Sequence, residues 1–430
     1  MKLRNGIDIY NLCKELWPIT RSITGDGVRE TLSIIQQEIP NLIIHEVPTG
    51  TQCFDWKVPK EWNIKNAYII DRNGNKIIDF KDNNLHVVSY STPINKIISL
   101  LELQEHLHSL PDQPNAIPYV TSYYEERWGF CLTENQRKEL SKGDYQVYID
   151  SELSEGSLTY GEVIIPGESE KEVFLSTYVC HPSMANNELS GPTVTTYLAK
   201  WIQSQPRKHT YRIIFIPETI GSICYLSRNI KTMKKNIVAG YNITCAGDNN
   251  AYSYLPSRDE NTISDKIALH VLNYTHPEFV KYSYLDRGSD ERQYCSPGID
   301  LPVASVMRTK YGKYKEYHTS LDNLNYISDE GLFGTYDILT KCIECIENNE
   351  VYRATTLCEP QMGRRNLYPT LGASANMKTD VKMMMNILSY ADGSRDLLSI
   401  ADKLGVPFFE MIKSVDILAR EKLIEVIPKG

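Results

Sequence analysis

Between residues 145 and about 350 the chain alternates short apolar runs with longer amphipathic stretches, and no other feature restricts its fold as strongly. EVFLSTYVC, YRIIFI, IVAGYNITC and LPVASVM are continuous enough to be strands buried on both faces. Between or after them lie GPTVTTYLAKWIQSQ, ICYLSRNIKTM, DKIALHVLNYT and DEGLFGTYDILTKCIECIEN, each with apolar residues at helical spacing. Strands alternating with helices predict an α/β domain around a mostly parallel sheet. Such sheets place their crevices beyond the carboxyl ends of the strands, so functional residues are sought there.

The flanking segments read differently. Ile9, Leu12, Cys13, Leu16 and Trp17 recur as one helix face that Pro18 ends, and TGDG at 24–27 caps a second helix reaching Glu38. LIIHEV is a strand. From residue 51 short alternating runs appear, broken at Asn73-Gly74 by a hairpin signal. This predicts a small β-rich subdomain over 51–119, inserted into an α/β domain formed by 1–50 and 120–352. YQVYI, at 145–149, reads as a strand of that α/β domain. After a linker containing Pro360, Gly363, Pro369 and Gly372, three helical runs and the strand IEVI follow in the order of a winged helix, within 353–430.

Composition excludes several classes. At 430 residues the chain is long enough for two or three units, and 41% hydrophobic residues exclude a disordered chain. A net charge of -8 argues against nucleic acid as partner. No apolar run approaches the roughly 20 residues of a membrane span, and the N-terminus lacks the apolar core of a signal peptide. Ten scattered cysteines fit free thiols in a reducing compartment, so a cytoplasmic location is expected.

Four positions follow predicted strand ends or turns. His181 directly follows EVFLSTYVC, where an imidazole can hold a divalent metal; the competing reading is a loop histidine bonded to backbone. Glu218 follows YRIIFI and Pro217, placed as a general base or as an acidic residue at a helix N-terminus. Asp290 stands in DRGSDERQY, a run dense in charge that also reads as a solvated loop. His318 stands in KEYHTSLDNLNYI, after LPVASVM, as a ligand or as a turn cap.

In combination these motifs are more specific. Strand–His181, NNELSG opening a helix, strand–Pro-Glu218, GSD at 288–290, GIDLPVAS and YHTSLDN occur in the order that resembles M28-type zinc aminopeptidases. RSITGDGVRETL, FDWKVPKEW and the winged helix make the chain most similar to bacterial aminopeptidase-like relatives of that group, over nearly its whole length. The resemblance implies two adjacent zinc ions bridged by an aspartate, with a glutamate passing the water's proton to the leaving amine. Carried over by motif, it implies that His181 and His318 are metal ligands and Glu218 the base. Three carboxylate ligands do not match. Asn187 stands at the bridging position, Thr219 where a glutamate follows the base, and Thr244 where an aspartate follows the next strand. Two dications need anionic ligands to offset their repulsion, so one zinc ion or none is expected, with Asn187 as a neutral third ligand and Glu218 or Asp290 supplying the charge. Glu188 and Asp248 are neighbours able to compensate.

Weaker motifs read as structure. Cys342-x-x-Cys345 lies within a helical run and reads as one buried face. TGDGVRE caps a helix, with Arg21 or Arg29 able to reach a substrate carboxylate. Eight basic and eight acidic residues between Ala375 and Gly430 balance, and PFFEM begins the would-be recognition helix with exposed Phe408 and Phe409. The tail therefore reads as a packing or partner-binding module, not a nucleic-acid reader. Two functions compete: a metal-dependent aminopeptidase-like hydrolase acting on a peptide or other amide, and an inactive binding or scaffold protein that kept the fold.

Overall fold

The computed structural model describes residues 2–367 and 375–427; Pro369 and Gly372 of the predicted linker, and Lys429, lie outside the described residues. By its internal contacts the chain divides into one unit of residues 1–264 and 280–336, and a second of 265–279 and 337–430.

The first unit is built on an eight-stranded sheet. In chain order its strands are β1 (Ile43–Pro48), β2 (Ser157–Ile165), β3 (Ser169–Tyr178), β4 (His209–Ile216), β5 (Ile237–Asn242), β6 (Ser253–Leu255), β7 (Val280–Lys281) and β8 (Val303–Met307). They lie in the order β1-β2-β4-β3-β5-β8-β6-β7. The four central strands, β4-β3-β5-β8, are mutually parallel, as the alternating pattern predicts. β2 and β6 pair antiparallel to their inner neighbours and flank this parallel core. From Glu172 to Tyr178 every residue of β3 is buried, which accounts for the absence of an apolar–polar alternation along it. Helices α1 (Ile7–Leu16) and α2 (Asp26–Glu38) precede the sheet, α3 (Ser190–Gln203) follows β3, and α4 (Ile220–Asn236) follows β4.

The Ser190-Gly191 pair that opens α3 has a packing reason. A Cβ on Gly191 would stand 2.5 Å from Thr177 Oγ1 and 2.6 Å from Ile243 O, so only glycine lets the helix start against the ends of β3 and β5. Ser190 Oγ accepts from Ala246 N at 2.8 Å, tying the same turn to the chain after β5.

A smaller antiparallel sheet fills the inserted region, with Glu61–Ile70 paired to Lys76–Asp79 across the turn at Asn73-Gly74. Gly74 has φ +84°, as that turn requires. Its longest strand, Asp144–Ser154, pairs with Glu61–Ile70 and with Ile94–Ser99. YQVYI thus belongs to the small sheet, not to the α/β sheet as its sequence suggested. The alternation of buried and half-buried residues along it is that of a strand covered on one face only.

In the second unit, strands Asp392–Asp396, Val351–Ala354 and Ile424–Ile427 form a three-stranded antiparallel sheet with helices Ala375–Tyr390, Leu397–Leu404 and Phe408–Arg420. Phe408 is fully buried and Phe409 half-buried, so the apolar start of the last helix is core rather than the exposed patch its sequence suggested. Cys342 and Cys345 are both buried in the helix Asp329–Asn348, one structural face as expected. All ten cysteines are free thiols. Among the described residues, no helix is long and apolar enough to cross a membrane.

Candidate functional site

Register places two of the predicted residues side by side. Tyr178 of β3 pairs with Ile216 of β4, so His181 and Glu218 leave adjacent parallel strands at the same carboxyl edge. His181 Nε2 lies 3.8 Å from Glu218 Oε2. His318 arrives from the far end of the chain, its ring centroid 5.6 Å from that of His181. The inserted region sets it there: Pro118 bridges to Thr319, Tyr119 N donates to His318 O at 2.8 Å, and Ile117 N donates to Ser320 Oγ at 3.0 Å. The Tyr119 ring stands edge-on to both imidazoles, each at 5.2 Å. His318 has φ +55°, a left-handed backbone uncommon for a side chain of its size.

These groups open on a cavity of about 370 Å³ lined by His181, Glu218, Arg292 and His318, with Trp56, Tyr123 and Tyr124 among its aromatic wall. Asp290 is not on that lining. It is fully buried behind Thr219, where Oδ1 accepts from Thr219 N and from Ser222 Oγ, both at 2.8 Å. DRGSDERQY is solvated only at its start: Asp286, Arg287 and Gly288 are exposed, whereas Ser289, Asp290 and Glu291 are all buried, and Glu291 accepts from Gly288 N, Ser289 N and Tyr311 OH. Arg292, from the same stretch, reaches the cavity. Sequence reasoning passed it over because the run was dense in charge.

Behind His181 stands Glu188, completely buried. Its Oε2 lies 2.9 Å from His181 Nδ1; its Oε1 accepts from Cys180 N at 2.9 Å and lies 3.3 Å from Arg21 Nε. Arg21 Nε also donates to His181 O at 3.0 Å. Glu188 thereby fixes the ring and leaves Nε2 facing the cavity. Arg21 is an internal cation rather than a substrate contact, and Arg29 is likewise taken up by Asp26, Glu46 and Glu61.

Asn187 does not line the cavity. Its Nδ2 donates to Tyr178 OH at 2.7 Å, that hydroxyl donates to Asn187 O at 2.7 Å, and Thr244 Oγ1 lies 2.5 Å from it. Two of the three positions lacking carboxylates are thus joined by a tyrosine hydroxyl in a neutral network. Asp248, offered as compensation, is occupied elsewhere, accepting from Asn186 Nδ2, Thr309 N and Thr309 Oγ1.

Burial and neighbouring charge set the protonation states. Burial lowers the basicity of His181, but the Glu188 hydrogen bond and the Glu188 and Glu218 charges outweigh it and its pKa is raised. His318 is pushed down to about 3 by burial and by His181, so it is neutral. Glu218 is raised by burial, against the pull of His181, Ser289 and Arg292. Asp290 is raised to about 8 by burial and by Glu218.

The last value carries a stability prediction. An acid whose pKa is higher folded than unfolded stabilises the fold below its unfolded pKa, and that contribution is lost as pH rises through the folded value. Wild type should therefore lose melting temperature as pH rises toward about 8 through Asp290, and the loss from this group should level off above that value. Asp290→Asn mimics the neutral acid, keeps an oxygen for Thr219 N and Ser222 Oγ, and should flatten that slope. Thermal melts from pH 5 to 9 on both proteins compare the slopes directly, and parallel curves would exclude Asp290 as their cause.

The donor set fits one ion and not two. Cys180, His181 and Glu188 are the one group of three ligand-type side chains within 4.8 Å of one another among the described residues, but Glu188 is taken up by His181 Nδ1, Cys180 N and Arg21, which leaves His181 Nε2, with His318 beside it, to face the cavity. A neutral network occupies Asn187 and Thr244, where further carboxylates were sought. At most a single ion can be held.

Comparison with known proteins agrees with this architecture. The family described as "Domain of unknown function (DUF4910)" matches residues 10–349, and "winged helix-turn-helix" matches 350–426. A Clostridium acetobutylicum protein, provisionally named a polysaccharide biosynthesis protein with aminopeptidase-like domain, is 48% identical over 423 residues, 98% of this chain and 97% of its own. A crystal structure of a provisionally assigned peptidase from Clostridium acetobutylicum superposes with TM-score 0.93 at 47% identity, covering 98% of this chain and 96% of that one. A zinc aminopeptidase from Bacillus subtilis shares the fold at TM-score 0.57 and 11% identity, over 78% of this chain and 93% of its own.

Proposed function

From the premise that this chain belongs to the DUF4910 family, with a winged helix-turn-helix behind it, we propose that it is a metal-dependent hydrolase of peptide or other amide bonds, working with at most one metal ion. The observation that carries this reading is the meeting of His181, Glu218 and His318 on one cavity beyond the carboxyl edge of the sheet. The aminopeptidase-type fold of the similar structures supports it.

Each residue has a role that its surroundings suit. His181 presents Nε2, because Glu188 holds Nδ1 and raises the ring's basicity. His318 is neutral and presents a lone pair. A zinc ion, when bound by these two histidines, supplies Lewis acidity toward the carbonyl and acidifies water. Glu218 takes the proton of the attacking water and passes it to the leaving amine, and its raised pKa brings it nearer to the operating pH that such a shuttle needs. Asp290 acts indirectly, by holding Thr219 N beside Glu218. The ten free thiols accord with a cytoplasmic setting, and the tail's balanced charge favours a protein over nucleic acid as partner of the winged helix.

Metal analysis of protein purified without chelators, paired with an aminoacyl and acylamide substrate screen, tests the reading. Wild type should retain at most one zinc per chain and hydrolyse at least one amide class, and His181→Ala should lose both. Two equivalents of zinc would contradict the donor set. Metal-free protein that binds amides without turning them over would establish the scaffold reading, which the neutral network at Asn187 and Thr244 favours.

A further inference from the structure

Arg292 has more binding capacity than its surroundings use. Its Nη2 donates to Thr219 Oγ1 at 2.7 Å, and that is the one hydrogen bond of its side chain among the described residues. Nε is buried without a partner. A guanidinium carries five donors in a rigid fork matched to an oxyanion. No carboxylate lies within ion-pair distance of it among the described residues, although it shares the cavity with Glu218. A cation drawn partly out of water with only the more distant Glu218 charge to offset it is costly to hold. Here it is also held in place by a strained segment.

The strain is at Thr219. Ile220 N donates to Glu218 O at 2.8 Å, closing a three-residue turn with Thr219 at φ +65° and ψ -78°. This γ-turn is rare for any residue and unfavourable for a β-branched one. Asp290 holds it from the backbone side through Thr219 N, and Arg292 meets the threonine hydroxyl on the other. The turn thus fixes both the base that precedes Thr219 and the guanidinium that binds it. Trp56, Tyr119, Tyr123 and Tyr124 provide an aromatic wall, and about 370 Å³ suits a small molecule.

The geometry points to Arg292 as a specificity-determining residue that binds a carboxylate on the substrate, so that the preferred substrates are small amides carrying a free carboxylate and an apolar or aromatic group. This rests on the hydrolase reading for the word substrate, but not for the binding itself. The carboxylate can belong to the leaving amino acid or to the acyl group, and matched probes separate the two. One pair is N-acetylphenylalanine and its C-terminal amide; the other is succinyl-anilide and acetyl-anilide.

Calorimetric binding to the full chain and turnover are measured in parallel. In at least one pair the carboxylate member should bind tenfold or more tighter. Arg292→Gln should erase that difference while leaving the neutral member's affinity within twofold. Equal affinities within both pairs in wild type, or a preference that survives in Arg292→Gln, would overturn the assignment. If Arg292→Gln does not fold, Arg292→Lys replaces it, keeping the charge without the fork: a preference reduced severalfold supports the assignment, and an undiminished one overturns it. Carboxylate-selective binding without turnover would refute the hydrolase and leave Arg292 standing, whereas turnover without selectivity would do the reverse.

Discussion

Replacing Glu188 by glutamine should cost the fold about 3–5 kcal/mol, the range for removing one partner of a buried ion pair. Arg21 and Glu188 are both completely buried, with 3.3 Å between Nε and Oε1. Burial lowers the Arg21 pKa and the Glu188 charge is the strongest influence opposing it. Arg21 also donates to Leu16 O and His181 O, so it cannot turn outward without breaking α1 and the site loop. With glutamine at 188 the guanidinium keeps its backbone acceptors and loses its counter-ion. Cys180 N and His181 Nδ1 lose a charged acceptor as well. Urea unfolding followed by fluorescence measures the effect. A double-mutant cycle with Arg21→Met should show strong coupling, since removing the cation makes a neutral residue at 188 less costly. A loss below about 1 kcal/mol in Glu188→Gln would mean that the pair does not anchor the loop.

How far the sequence disclosed this arrangement depends on the range of the interaction. His181 and Glu218 were legible because each directly follows an apolar strand, and parallel neighbours deliver such residues to one edge. His318 was legible only through the motif order, because its position is set by Pro118, Tyr119 and Ile117, some 200 residues earlier in the chain. Arg21 read as able to reach a substrate carboxylate; only the folded chain brings it to Glu188, and to the His181 carbonyl 160 residues away that it also holds. Tyr178 read simply as the end of a buried strand, yet its hydroxyl joins the two positions, Asn187 and Thr244, that set the limit on metal. Strand Asp144–Ser154 was recognised as a strand and assigned to the wrong sheet, since local pattern gives an element's type but not its pairing partner. Arg292 was hidden by composition: charge-dense runs are usually solvated, and this one folds inward around Glu291.

The largest effect on chemistry should come from Glu218→Gln. Positioned general acid–base groups contribute about 10²–10⁴-fold to rate, and this loss is expected in kcat for whichever amide the wild type hydrolyses. The substitution is nearly isosteric, and the side chain is 23% exposed in the cavity, so stability should change little. Metal content should persist as well, because His181 keeps Glu188 at Nδ1 and His318 keeps its loop, neither of which depends on the Glu218 charge. Removing that charge withdraws one of the influences that raise Asp290, so its pKa should fall below about 8. It also withdraws one influence that raises His181, which therefore becomes easier to deprotonate. The acidic limb of the wild-type pH–rate profile should lie above the usual glutamate range, since burial raises the Glu218 pKa, and it should be absent from whatever residual rate the variant shows. Zinc content, melting temperature and kcat measured on one preparation separate these contributions. A variant that keeps its metal and its fold but loses less than tenfold in kcat would show that the proton passes through another group. Of the ligand-type side chains on the cavity lining, His318, neutral and stacked on Tyr317 with ring centroids 3.9 Å apart, would then be the one to test.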